Sequence, residues 1–224
     1  MRSIHLLLAG AATGFCALTA PAAFATCAPT DTGTPACVAG RSSTIANDQV
    51  RLDTAFADLQ LTVHDAPTVA GAATAAGNTV GLDSAGRAAL LQSSQRLHGA
   101  AAATSTVRVG GTDHLANAAT ATGNGLAAST QRADLTVEGF QQAQGGPIRA
   151  TATTTARAVI DSVTAATAGA NVATVADQTG TNRLRLTQEA DTTVEARAEA
   201  DHCCVAGSAA TSALASANSV AVTG

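Results

Sequence analysis

A short phrase returns at a fixed distance along this chain, and nothing else in the sequence restricts the fold as much. ATAAGNTV begins at Ala73, ATATGNGL at Ala119, ATAGANVA at Ala166 and ALASANSV at Ala213. Its asparagines are Asn78, Asn124, Asn171 and Asn218, spaced 46, 47 and 47 residues apart. Other positions keep step. Gln95, Gln141 and Gln188 each lie 17 residues after their asparagine, and Leu91, Val137 and Leu184 each lie 13 after it. A period in this range marks an array in which every unit buries its apolar face on a neighbour.

The periodicity inside a unit selects strands. Val107-Arg108-Val109, Leu135-Thr136-Val137-Glu138 and Arg183-Leu184-Arg185-Leu186 alternate apolar with polar. From Thr193 to Asp201, Val194, Ala196, Ala198 and Ala200 share one face, while Glu195, Arg197, Glu199 and Asp201 share the other. Such alternation is the mark of a half-buried strand. Residues 84–97 have helical propensity taken alone, but they align with strand-like copies, which overrides it. Residues 59–64 read as strand, and 45–57 fit strand or helix equally. The expectation is an all-β repeat array, a β-solenoid or stacked β-hairpins, with units of about 47 residues. Within it the Gly-Asn pairs predict tight turns, so that Asn78, Asn124, Asn171 and Asn218 become the repeated turn positions. The spaced glutamines can stack as a side-chain ladder, as amides do in cross-β fibres.

Composition supports a thin array. Leu, Ile, Val and Phe together number 41 of 224 residues, whereas alanine alone supplies 56. At about 25 cal/mol per Å² an alanine buries too little area to support a thick core, but it suits facing walls set close together. Such a composition is also what a disordered Ala/Thr-rich segment would show.

Met1-Arg2-Ser3, the apolar run from Ile4 and Ala23-Phe24-Ala25 together predict a secretory signal peptide over residues 1–25. Residues 26–69 read as an N-terminal segment and 70–224 as the array. No stretch after the leader is apolar for long enough to span a bilayer. Cys27 and Cys37 bracket a Pro/Gly-rich loop and are expected to be disulfide-bonded in an oxidising compartment. Without the leader the charge is −5, and lysine, tryptophan and tyrosine are absent from the whole chain. A nucleic-acid partner wants a basic patch with stacking aromatics, so that class is set aside.

The chemistry-bearing residues do not converge. No nucleophile elbow, zincin motif, P-loop or dinucleotide fingerprint occurs, the acids are scattered singly, and no cofactor is implied. His98, Gln144 and Asp191 occupy one column of changing identity, the pattern of a solvated turn. His202-Cys203-Cys204 is the densest ligand group, yet it lacks the spacing and second pair of a metal site. Those two cysteines could pair with Cys27 or Cys37, with each other or with another chain. Thr151-Ala152-Thr153 and Thr192-Thr193 resemble ice-binding surfaces, but the columns change identity from unit to unit.

The Ala-Thr-Ala-x-Gly-Asn pattern at Ala73 and Ala119, degraded at Ala166, resembles the repeats of the holdfast anchor D proteins of stalked alphaproteobacteria over roughly residues 70–224. The resemblance implies a non-enzymatic, secreted cell-surface protein that helps fix an adhesive polysaccharide to the envelope. Its implied partners are that polysaccharide and other envelope anchor proteins, with self-association also open. The competing expectation is a curli-like functional-amyloid fibre subunit. A ligand-binding module is a third, with no pocket-forming aromatics to recommend it.

Overall fold

A computed structural model describes residues 43–223. The expected leader (1–25), the rest of the segment before Ser43, and the expected Cys27–Cys37 pairing all lie outside the described residues. Eight strands account for nearly all of the described chain: β1 (Ser43–Arg51), β2 (Ala55–Asp65), β3 (Thr68–Ala85), β4 (Ala89–Gln131), β5 (Leu135–Asp177), β6 (Asn182–Asp191), β7 (Val194–Val205) and β8 (Ala209–Thr223). There is no helix among the described residues.

All eight strands belong to one sheet, and every pairing within it is parallel. The register restates the sequence period as geometry. Ser43 lies beside Ala89 and Ala89 beside Leu135, while Asn78, Asn124, Asn171 and Asn218 form one row across the sheet. The offset is already in force at Ser43, upstream of the residue 70 where the sequence phrase first shows it. It changes from 46 to 47 at one bend, where Gly99 aligns with Gly145 but Ala101 aligns with Ile148. Gly145-Gly146-Pro147 takes up the extra residue there, with Gly145 at φ +84°, a conformation open to glycine at little cost.

Strands of 43 residues, such as β4 and β5, cannot run straight through a molecule this small, and their burial shows where they bend. In β4 the buried side chains sit at odd numbers from Leu115 to Ala121 and at even numbers from Asn124 to Thr130. Successive side chains of a strand point to opposite faces, so a change of parity means that one residue has been spent on a corner. It falls at Gly123, for which no pairing partner exists although both neighbours are paired. Further corners lie around Gly99 and Gly110.

Two walls result, formed in β4 by residues 89–109 and 115–130, with inward side chains meeting between them. The contacts fix the facing: Gln95 reaches the Gly125 carbonyl and Ser105 reaches Asn117. The interior is banded. One apolar cluster holds Leu91, Leu126, Val137 and Val175, a central one holds Leu97 with many alanines, and a third holds Val107, Val109, Leu115 and Val159. Alanine dominates the middle band, with Leu97 and Ile148 the large side chains buried in it. Between the bands lie rows of buried polar groups, every one of which needs a partner.

Candidate functional site

The inner polar rows are structural, and they are built from residues that the sequence singled out. Asn78 donates to the Oδ1 of Asn124 (2.9 Å), Asn124 to that of Asn171 (2.8 Å) and Asn171 to that of Asn218 (2.8 Å). Each also donates across to a carbonyl of the opposite wall, at Arg96, Gln142, Glu189 and Gln188 in turn. The glutamines form a second row that runs the other way. Gln188 donates to Gln141 (2.8 Å), Gln141 to Gln95 (2.8 Å) and Gln95 to Gln49 (3.2 Å). They too reach across, to carbonyls of Val172, Gly125 and Thr79. The antiparallel sense of the two rows opposes their amide dipoles.

This corrects the expectation for Asn78, Asn124, Asn171 and Asn218. They follow a corner, which glycine marks before Asn78 and Asn124 and alanine occupies before Asn171 and Asn218, but none adopts a positive φ: among the described residues only Gly86, Gly145 and Arg132 do. Three of the four are nearly or fully buried, and what repeats them is the amide ladder rather than a turn. A tight-turn reading and a ladder reading both accommodate a repeated Asn, and only the in-register neighbour distinguishes them. Gln49 was missed as the first rung because the phrase that sets the frame is absent upstream of Ala73.

With the amides occupied inside, function falls to the outer faces, and these differ sharply. The outer face of the first wall carries both signs of charge, hydroxyls and amides. Its columns include Asp58–Thr104–Thr151–Arg197, Gln60–Thr106–Thr153–Glu199 and Gln92–Glu138–Arg185. Arg149 pairs with Glu195 at 2.8 Å, Gln92 donates to Glu138 at 3.2 Å, and Arg96 lies 5.5 Å from the centre of the Phe140 ring. Phe56 projects from the same face, 59% exposed. The outer face of the second wall is small and nearly uncharged. Ala70, Ala72, Thr74, Ala116, Ala118, Thr120, Ala165 and Thr167 line it, and Asp83 is the one charged outward residue among its described strand positions.

The remaining candidates sit at corners. His98 and Gln144 touch across one corner, with Asp191 next in the column. At another, Asp161 accepts from the Ser208 hydroxyl (2.8 Å) and amide (3.0 Å) and lies 3.5 Å from His114. Those two hydrogen bonds, with His114 assisting, outweigh its partial desolvation and hold its carboxyl below the usual range. Cys203 and Cys204 are exposed, with their sulfurs 3.1 Å apart and unbonded. No group of three or more potential metal ligands occurs among the described residues. No described helix is long and apolar enough to cross a membrane.

The model of one protein family, holdfast attachment protein D, matches residues 63–224. The chain belongs to the holdfast attachment protein D family. The match covers β3 to β8 and the end of β2, and so takes in the Asn row complete and the Gln row from its second rung. No curated protein and no solved structure matches the chain.

Proposed function

We propose that the chain is a β-solenoid of four stacked units that acts at the cell surface in holdfast attachment, holding the adhesive polysaccharide to the envelope through the charged outer face. Membership of the holdfast attachment family supports the role, and the contrast between the two outer faces supports the assignment of the surface. A hydrated polymer is retained by many weak hydrogen bonds. The first wall joins repeated hydroxyls with amides outside, at Thr104, Thr106, Thr151, Thr153, Gln60 and Gln142, whereas the second wall has the hydroxyl row Thr74–Thr120–Thr167 without amides beside it. Each contact is worth about 1 kcal/mol net, so retention comes from their number acting together. The protein binds the polymer and does not make it.

The test is a pair of multiple variants introduced in place of the chromosomal copy. Replacing Thr104, Thr106, Thr151 and Thr153 with valine keeps shape and strand preference while removing hydroxyls from the first wall. Shear should then shed adhesive into the medium with its synthesis unchanged. Replacing Thr74, Thr120 and Thr167 with valine on the other face should leave retention at the parental level. Equal retention in both strains, with the protein exported and folded, would exclude the proposed face. Adhesive that stays firmly attached when the whole gene is deleted would exclude the role.

A further inference from the structure

Cys203 and Cys204 lie at the end of β7, and the fold gives that position an unusual property. On a straight strand adjacent side chains point to opposite faces and their sulfurs stand far apart. Here the chain turns a corner: His202 is paired with Ala156 and Cys204 with Ala158, while Cys203, beside Arg157, has no pairing partner. The same corner holds Gly110 in the unit two below and His64 in the first unit. The turn brings both thiols to the outside, with 3.1 Å between their sulfurs. An open crevice of about 350 Å³, lined by Thr112, Asp113, Val159, Cys204, Val205 and Ala206, adjoins the pair.

We propose that Cys203 and Cys204 form a reversible two-electron redox site, which closes to a ring disulfide between adjacent residues by exchange with a small or protein disulfide. The Cys203 thiolate attacks one sulfur of the donor disulfide, giving a mixed disulfide and one donor thiolate. Cys204, whose pKa is raised by its contact with Cys203, holds its proton through this step. It then loses that proton, and its thiolate attacks the Cys203 sulfur. The Cys203–Cys204 bond forms and the second donor thiolate leaves. Two protein thiols are oxidised and one donor disulfide is reduced to two thiols. Closure competes well with linkage to another chain because a partner already held in contact acts at a very high effective concentration. The ring also reopens easily. Adjacent Cα atoms are about 3.8 Å apart, less than the roughly 4.4 Å that ordinary disulfides span at their shortest, and strained, exposed disulfides are the labile ones. This inference does not depend on the attachment role.

Trypsin makes the test direct, because no arginine or lysine follows Arg197: the final peptide carries Cys203 and Cys204 and no other cysteine. The full chain, purified reduced, is exposed to oxidised glutathione, alkylated and digested. The final peptide should be lighter by two hydrogens, carry no glutathione and no alkyl group, and recover both thiols in excess reduced glutathione. In Cys204→Ser the resolving thiol is missing, so the peptide should instead retain one glutathione on Cys203. Circular dichroism of the variant confirms that it keeps its strands. Two alkylated thiols in the wild-type peptide after oxidation, stable glutathione adducts on it, or its cross-linking to the Cys27/Cys37 peptide or to a second chain would each overturn the proposal.

Discussion

Asn124 shows what one residue does here and how far the sequence could have said so. Its amide nitrogen donates to Asn171 and to the Gln142 carbonyl, and its oxygen accepts from Asn78. Truncation removes all three bonds and leaves buried polar atoms on three partners. Each orphaned group costs about 1–3 kcal/mol, so Asn124→Ala should destabilise by at least ~3 kcal/mol in chemical denaturation. Asn218, exposed and at the last rung, should tolerate alanine at about 1 kcal/mol or less. Similar losses at the two sites would mean that the row is not what stabilises the interior. The glycine before it lies at a bend, and its φ is not positive. A Cβ on Gly123 would come within 2.5 Å of the Ala170 carbonyl oxygen and 3.3 Å of Ile148, so its role is close approach of successive units. Gly123→Ala should cost about 1–3 kcal/mol. Gly81→Ala, where nothing lies within 4 Å and φ is not positive, should be neutral or stabilising by roughly 0.5–1 kcal/mol. Equal effects in thermal melts would remove the close-approach account.

Arms and corners are the working elements, and they were unequally legible. Alternation gave the arms outright, at Leu135–Glu138 and Arg183–Leu186 for instance, because in/out burial writes itself into composition at period two. Corners were legible only where glycines mark them, and the change of parity at Gly123 was not, since it comes without a loop, a proline or a positive φ to announce it. The uncharged outer face was equally hidden. Alanine and threonine suit both inside and outside, and only the parity, once known, sorts the charges onto one wall. The corner at Asp161 makes a prediction of its own. Ser208, and then His114, favour the ionised carboxyl, so its folded pKa is depressed. The sign follows: the contribution is complete above the pKa of the unfolded carboxylate and is lost as pH falls through the lower folded value. The melting temperature of wild type should therefore exceed that of Asp161→Asn near neutrality, with the gap closing below about pH 4. A gap that is constant down to strongly acidic pH would dismiss the contribution of the carboxylate charge.

At the scale of the molecule, the proposed stacking of units would make length a variable that can be changed without changing the fold. Leu91 is beside Val137 in the register, so removing residues 92–137 joins Leu91 to Glu138 with every later side chain on its original face. The Gln row would then run from Gln49 to Gln141 and the Asn row from Asn78 to Asn171, each one rung shorter. Removing one residue more, 92–138, shifts parity through the rest of that arm and turns Gln141 and Ala143 outward. The two deletions differ by one residue and should differ wholly in outcome. The first should unfold cooperatively with strand-type circular dichroism, while the second should lose cooperativity or fail to accumulate. In cells the in-register deletion separates two ideas of how attachment works. If the polymer is held by many equivalent contacts along the charged wall, losing one unit of four lowers the shear needed to strip the adhesive but leaves partial retention. If attachment resides in one local site, the shortened protein either retains everything or nothing, according to whether that site lies in the deleted unit. Partial retention by a folded, exported three-unit protein is the expected result. Complete retention or complete loss would replace the distributed surface with a single site.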